Sequence, residues 1–199
     1  MSETSRTATE VDDASVIERS RREPEVFAEV FRRHAPDIKR YVIRRLGADA
    51  AEDVVAETFL AAFRQRDRYD LTRSSARPWL YGIATNRIGR HQRTEVRQLR
   101  ALERTGSDPV TDPFARSDER VSAVAVRRRL AAALRRLPAG HRDALLLVTW
   151  GDLGYQEAAQ ALGVPVGTVR SRVNRARKKL RAELGGVDPT SVSEEFDHG

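Results

Sequence analysis

Cysteine is absent from the 199-residue chain. Without it there is no disulfide framework, no thiolate metal site and no thiol redox centre within these residues. Histidine is scarce as well. His34, His91, His141 and His198 stand far apart, without the ligand spacing of a zinc site. Aromatic residues make up only 6% of the chain, and its valines rarely alternate with polar residues as a strand would require. Ala, Leu, Arg and Glu, all good helix formers, are abundant instead, so composition favours an all-α fold. Long apolar runs are missing: the longest, Ala144 to Trp150, falls far short of the ~20 residues of a membrane span. The segment Met1 to Glu23 is polar, carries both charge signs and has no apolar core of the kind a secretory signal needs. The chain therefore reads as cytosolic. There is also no Gly-rich phosphate loop, no metal-ligand cluster and no nucleophile beside a base, so neither enzymatic activity nor a cofactor is expected.

What is present in excess is positive charge, and its placement is informative. The net charge is +7. Residues 1–23 carry −2 and residues 24–97 carry +5; residues 98–120 carry −1, residues 121–184 carry +9 and residues 185–199 carry −4. Two basic bodies thus stand between acidic ends, with a weakly acidic connector separating them. Clustered Lys and Arg attract polyanions by releasing condensed counterions.

Periodicity divides the two bodies into helices. Pro24 opens a helical segment running to Leu46, with Val26, Phe27, Val30 and Phe31 as its apolar side, continued by Ile38, Tyr41 and Val42; Gly47 closes it. A second helix is expected over 49–63, with Val55, Phe59, Ala62 and Phe63 as its stripe and acids early, toward the positive end of its dipole. Residues 64–77 read as a polar loop, and Trp79 to Leu102 as helix again. The stretch 104–119 is rich in Pro, Asp and Ser and reads as a linker. Helices are expected over 121–137, 141–150, 155–162 and 166–184, and an acidic tail follows. The resulting organisation is a disordered tail (1–23), a helical domain (24–99), a flexible linker (100–120), a second helical domain (121–184) and a disordered acidic tail (185–199).

The sharpest local pattern is YQEAAQALGVPVGTVRSRVNRARKKL, residues 155–180. It has the helix, glycine-containing turn and second helix of a helix-turn-helix. Ala158, Ala159 and Leu162 give the first helix a small-residue face that a second helix can approach closely. Gly163 relaxes the turn and Pro165 stops the first helix from running on. In the second helix Val169, Val173, Ala176 and Leu180 step by four, three and four, an inward stripe. Thr168, Arg170, Ser171, Asn174, Arg175 and Lys178 fall on the other faces. Seven basic residues and no acid lie between Thr168 and Arg181. Such a helix suits the major groove, its early residues at base edges and its later ones at phosphates.

Two blocks of this chain resemble the conserved regions of extracytoplasmic-function (ECF) sigma factors in the sigma-70 family. ADAAEDVVAETFLAAF (48–63) with WLYGIATNRIGRHQR (79–93) is similar to region 2. LRRLPAGHRDALLL (134–147) with the helix-turn-helix is similar to region 4. The resemblance implies a protein that binds core RNA polymerase, at the clamp of the largest subunit and at the flap, and that reads promoter DNA. It also implies an anti-sigma factor as regulator. In the family the acidic AEDVV helix docks on the clamp, which makes Glu52, Asp53, Val55 and Glu57 the candidate polymerase contacts; Phe59, on the same helix, is read as core. The WLYGIATN block implies −10 recognition by Trp79, Asn86, Arg87 and Arg90, with Arg93 further along the phosphate path. The preceding loop implies the pocket for a flipped base. The −35 contacts carry over to the outward set of the helix-turn-helix, the set that periodicity had already separated. Ala56 departs from the pattern, standing where the family often has Gln. A helix-turn-helix regulator binding DNA as a dimer without polymerase is the competing reading. It leaves the AEDVV and WLYGIATN blocks without purpose, and no sustained heptad pattern offers a dimer surface.

Overall fold

The computed structural model describes residues 12–104 and 128–184, with side chains over 12–97 and 128–184. Among these residues every regular element is helical and none is a strand. Two compact units divide the chain, with the boundary between Ile88 and Gly89.

The first unit opens with α1 (Asp13–Ser20). Asp12 caps it, its Oδ1 accepting from the Ser15 amide at 2.8 Å, so one orphan donor of the first turn is satisfied. Val16 and Ile17 are fully buried, and burial of each is worth roughly 1.5–3 kcal/mol. The expected disordered tail therefore does not hold over these residues. The helix is eight residues long and mostly polar, too short for periodicity to separate it from coil. A 3-10 turn (Pro24–Phe27) leads into α2 (Ala28–Leu46), which contains Pro36 and ends at Gly47 with φ 90°. Only glycine adopts that backbone without strain. α3 (Ala51–Gln65) and a 3-10 turn (Arg66–Arg68) follow, then a loop over 69–76 and the long α4 (Arg77–Arg104). The loop is thus shorter than the expected 64–77, because α3 continues through Gln65.

The core of this unit joins Val30, Ile38, Tyr41 and Val42 of α2 to Val54, Val55 and Phe59 of α3 and to Leu80, Ala84 and Ile88 of α4. Its polar centre is fully partnered. Arg45 donates to the Tyr41 hydroxyl at 2.7 Å, and that hydroxyl meets the Thr85 hydroxyl at 3.1 Å. Edge-to-face ring pairs lock the seams, Phe27 against Phe63 at 5.5 Å and Tyr41 against Tyr81 at 5.1 Å. Phe31, placed by periodicity on the apolar side, is 45% exposed although its ring packs on Phe59.

In the second unit, residues 128–136 form helix α5, followed by α6 (Ala139–Thr149), α7 (Tyr155–Leu162) and α8 (Val166–Glu183). Leu145, Leu146 and Leu147 of α6 meet Ala158 of α7 and Val169 and Val173 of α8 in its core. Gly163 adopts φ 62° between α7 and α8, and the Val164 amide donates back to the Ala159 carbonyl at 3.1 Å. That left-handed closure sets the tight angle between the two helices. The expected linker reaches only partly into view: 100–104 continue α4, while 105–127 and the acidic tail 185–199 lie outside the described residues.

Candidate nucleic-acid interface

In the second unit α8 separates cleanly into two sides. Val169, Val173, Ala176 and Leu180 are at most 2% exposed, which pins the helix face by face onto α6 and α7. Arg170, Ser171, Asn174, Arg175 and Lys178 are all exposed, and Thr168 is half-exposed in the first turn. No acidic side chain interrupts this surface before Glu183. Not every base on α8 belongs to it. The Arg172 guanidinium lies against Gly140, close enough that an added Cβ there would stand 3.3 Å from it. Lys179 donates to the Arg136 carbonyl at 3.2 Å, and Arg136 pairs with Glu183 at 3.5 Å. Two of the seven bases thus hold α8 to α5 and α6. The outward residues span about two and a half turns, the length of helix a major groove accepts.

A different surface lies on α4, which runs across the boundary after Ile88. Asn86 and Arg90 are exposed one turn apart. Trp79 is half-exposed and leans on the Tyr69 ring at 5.0 Å, so it frames the 69–76 loop from the helix side. Arg87 is drawn away from open solvent by Glu57, at 3.5 Å. The loop itself is organised from within. The Thr72 hydroxyl, Arg73 and the Thr72 amide all donate to the Asp70 carboxylate, at 2.7, 3.0 and 3.1 Å, and hold its pKa at about 2. Tyr69, pushed up to about 12 by burial, donates its hydroxyl to the Arg73 carbonyl at 2.7 Å.

The candidate polymerase contacts do not form one face. Glu52 and Asp53 are exposed at the start of α3, with Glu52 paired to Lys39 of α2 at 3.0 Å. Val55 is only 7% exposed and belongs mainly to the core, because its position on α3 points into the α2 seam. Glu57 turns toward α4. What brings Glu52 and Val55 together is an open groove between α2 and α3, walled also by Phe31, Pro36, Lys39 and Ala56. Leu60, one turn beyond Ala56, is 48% exposed. From sequence Phe31 was read only as part of the apolar side of its helix, and Leu60 was not singled out. The signal for Leu60 was the four-residue step Glu52, Ala56, Leu60, outside the stripe of α3.

The family model described as Sigma-70 region 2 matches residues 30–98, and that described as Sigma-70, region 4 matches residues 127–180. The RNA polymerase sigma factor CarQ of Myxococcus xanthus is 32% identical over 167 residues, covering 82% of this chain and 92% of that one. The chain belongs to the sigma-70 family of sigma factors.

Within that family it is similar to the ECF RNA polymerase sigma factor SigC of Mycobacterium tuberculosis, 34% identical over 154 residues, covering 77% of this chain and 80% of the relative. The fold is that of a sigma factor RpoE solved with the anti-sigma factor NepR from Bartonella quintana, with a TM-score of 0.56 at 25% identity, covering 80% of this chain and 96% of that one. As an ECF-type sigma factor the chain directs transcription initiation by RNA polymerase. The competing reading, a regulator acting without polymerase, fails at region 2: residues 30–98 hold the AEDVV and WLYGIATN blocks for which it has no use. Among the described residues no helix is long and apolar enough to cross a membrane.

Proposed function

We propose that this sigma factor divides the promoter between its two units and performs no catalysis of its own. The second unit, acting over 121–184, reads the −35 element with the outward face of α8. Arg170, Ser171, Asn174 and Arg175 meet base edges, and Thr168 and Lys178 meet flanking phosphates. The first unit, acting over 24–99, opens the −10 element. Asn86, whose amide both donates and accepts, faces an exposed base; Arg90 tracks the backbone, and the 69–76 loop beside Trp79 receives a base flipped out of the stack. Arg87 takes part once Glu57 releases it. Glu52 and Asp53, with the apolar groove behind them, dock on the polymerase clamp: the acids orient the encounter and the apolar wall supplies affinity. The second unit also engages the flap. The protein works in the cytoplasm, where an anti-sigma factor covers the groove in the inactive state; a complex of that kind is the solved form of the related RpoE.

The single observation that carries the reading is the two-sidedness of α8. One side is sealed in the core and the other is exposed, uniformly basic or polar, and free of acids until Glu183. Transcription in vitro with core polymerase on a genomic promoter library tests it. Initiation is expected at promoters sharing a −35 and a −10 element. If the chain adds no promoter-specific initiation and does not co-purify with core polymerase, the reading is wrong.

A further inference from the structure

We infer that Asp13 is a positioning residue for −10 recognition, acting through the 69–76 loop that α1 grips at both ends. The inference rests on the reading of that loop as the pocket for a flipped base, and deepens it.

The grip is visible in named atoms. At the α4 end, the Ala76 amide donates to Asp13 Oδ2 at 2.8 Å, and the Asp13 amide donates to the Ser74 carbonyl at 3.0 Å. At the α3 end, Arg66 donates to the Ser20 carbonyl at 3.1 Å, and Arg21 donates to the Arg66 and Tyr69 carbonyls at 3.4 and 3.3 Å. Between these anchors Thr72, Arg73, Ser74 and Ser75 stay exposed. The Asp13 carboxylate is itself held from α2: Arg33 donates to Oδ1 at 3.2 Å, and His34 Nε2 lies 2.7 Å from Oδ2. Asp13 is 6% exposed, so its charge is spent inside the fold.

The physical consequence follows from the loop's task. Extruding a base already costs a few kcal/mol, so a pocket that must also be ordered at the moment of binding loses affinity and discrimination. Six residues separate Tyr69 from Ala76 with no regular backbone pairing to hold them. The charge-assisted bond from Ala76 and the Arg66 and Arg21 contacts supply that order in advance. A carboxylate that merely stapled α1 to α2 would need Arg33 and His34, but not the bond from the Ala76 amide of the loop.

The experiment is transcription by core polymerase with the full chain, on a promoter library randomised over the −10 and −35 elements and read by transcript sequencing. Base preference is a ratio, so it does not move when fewer molecules are folded. Asp13→Ala is expected to flatten the −10 preference by about tenfold, the loss of one charge-assisted hydrogen bond, with the −35 preference unchanged. Arg33→Ala, which loosens the same carboxylate from α2 only, should keep the −10 preference. Arg66→Met, which keeps an apolar stem over Phe63 and drops the tie to Ser20, should flatten it as Asp13→Ala does. Should Asp13→Ala fail to assemble with core, Arg66→Met decides alone. An unchanged −10 preference, or an equal flattening by Arg33→Ala, overturns the inference. No promoter-specific transcription by the unaltered chain would instead strike down the functional reading, and the inference with it.

Discussion

Arg87 Nη1 lies 3.5 Å from Glu57 Oε2, so a residue expected at the −10 element is paired with one expected at the polymerase clamp. The pair bridges α3 and α4 at the surface, with Arg87 27% and Glu57 61% exposed. Exposed pairs of this kind contribute roughly 0–1 kcal/mol, so the contact serves orientation more than stability.

Glu57→Ala tests which partner Glu57 serves. If its role is to hold Arg87, the variant keeps core-polymerase affinity and keeps stability within about 1 kcal/mol. Its holoenzyme binds promoter DNA more tightly, with a log–log salt slope steeper by roughly one, because one more cation is available to phosphate. Fluorescence anisotropy across a salt series measures this. Loss of core affinity instead would return Glu57 to the clamp.

Arg175→Ala and Arg172→Ala should fail in different ways. Arg175 is exposed on the outward side of α8, and its loss is expected to weaken −35-dependent initiation by about 1–3 kcal/mol with core binding intact. Arg172 packs on Gly140, and its loss should lower the melting temperature of the protein with a smaller effect on −35 preference. Calorimetry beside promoter-binding assays separates the two.

Ile17→Ala should destabilise the first unit by about 2–4 kcal/mol, the usual cost of emptying a buried aliphatic site. Ile17 is fully buried, in a segment whose composition reads as tail. Urea unfolding followed by tryptophan fluorescence reports it, since Trp79 belongs to the same unit. A change below about 0.5 kcal/mol, the size of an ordinary surface substitution, would mean that α1 adds nothing to the core.

Acid should loosen the loop before it unfolds the helices. Asp70 has a pKa of about 2, set by donation from Thr72 and Arg73. For Asp13, burial opposes ionisation, but hydrogen bonds from His34 and the Ala76 amide and the nearby Arg33 hold its carboxyl below the ordinary aspartate value. A depressed native pKa contributes stability above the unfolded value of about 4, lost as pH falls through the native one. The stability difference between the parent and Asp13→Ala is therefore expected to be constant from about pH 7 to about pH 4 and to shrink below that. Urea midpoints against pH measure it, and carboxyl NMR titration should find Asp70 near 2. A difference that grows on acidification would reverse the sign and refute the assignment.

Several of these residues show what one-dimensional pattern can and cannot convey. The stripe Val169, Val173, Ala176, Leu180 and the turn at Gly163 were legible because helical period and backbone conformation are local properties. The same period put Phe31 inside, yet it is 45% exposed, because α2 meets α3 over a narrower arc than its apolar residues cover. Val55 stood both in the apolar stripe of α3 and among the candidate polymerase contacts, and at 7% exposure it sits mainly with the stripe. Arg172 and Lys179 looked like the other bases of α8 and proved to face their own domain.

By itself, then, the sequence determined that the chain is helical, that it forms two basic bodies, and which face of α8 is outward. Each of these follows from composition, local propensity and a repeat of three to four residues. Only the tertiary structure decided that Asp13 belongs to the fold, that Glu57 answers to Arg87, and that the 69–76 loop is gripped at both ends. Those relationships join residues 20 to 63 positions apart through single hydrogen bonds and ion pairs. No periodicity encodes such contacts, because they depend on where packed helices bring side chains into register.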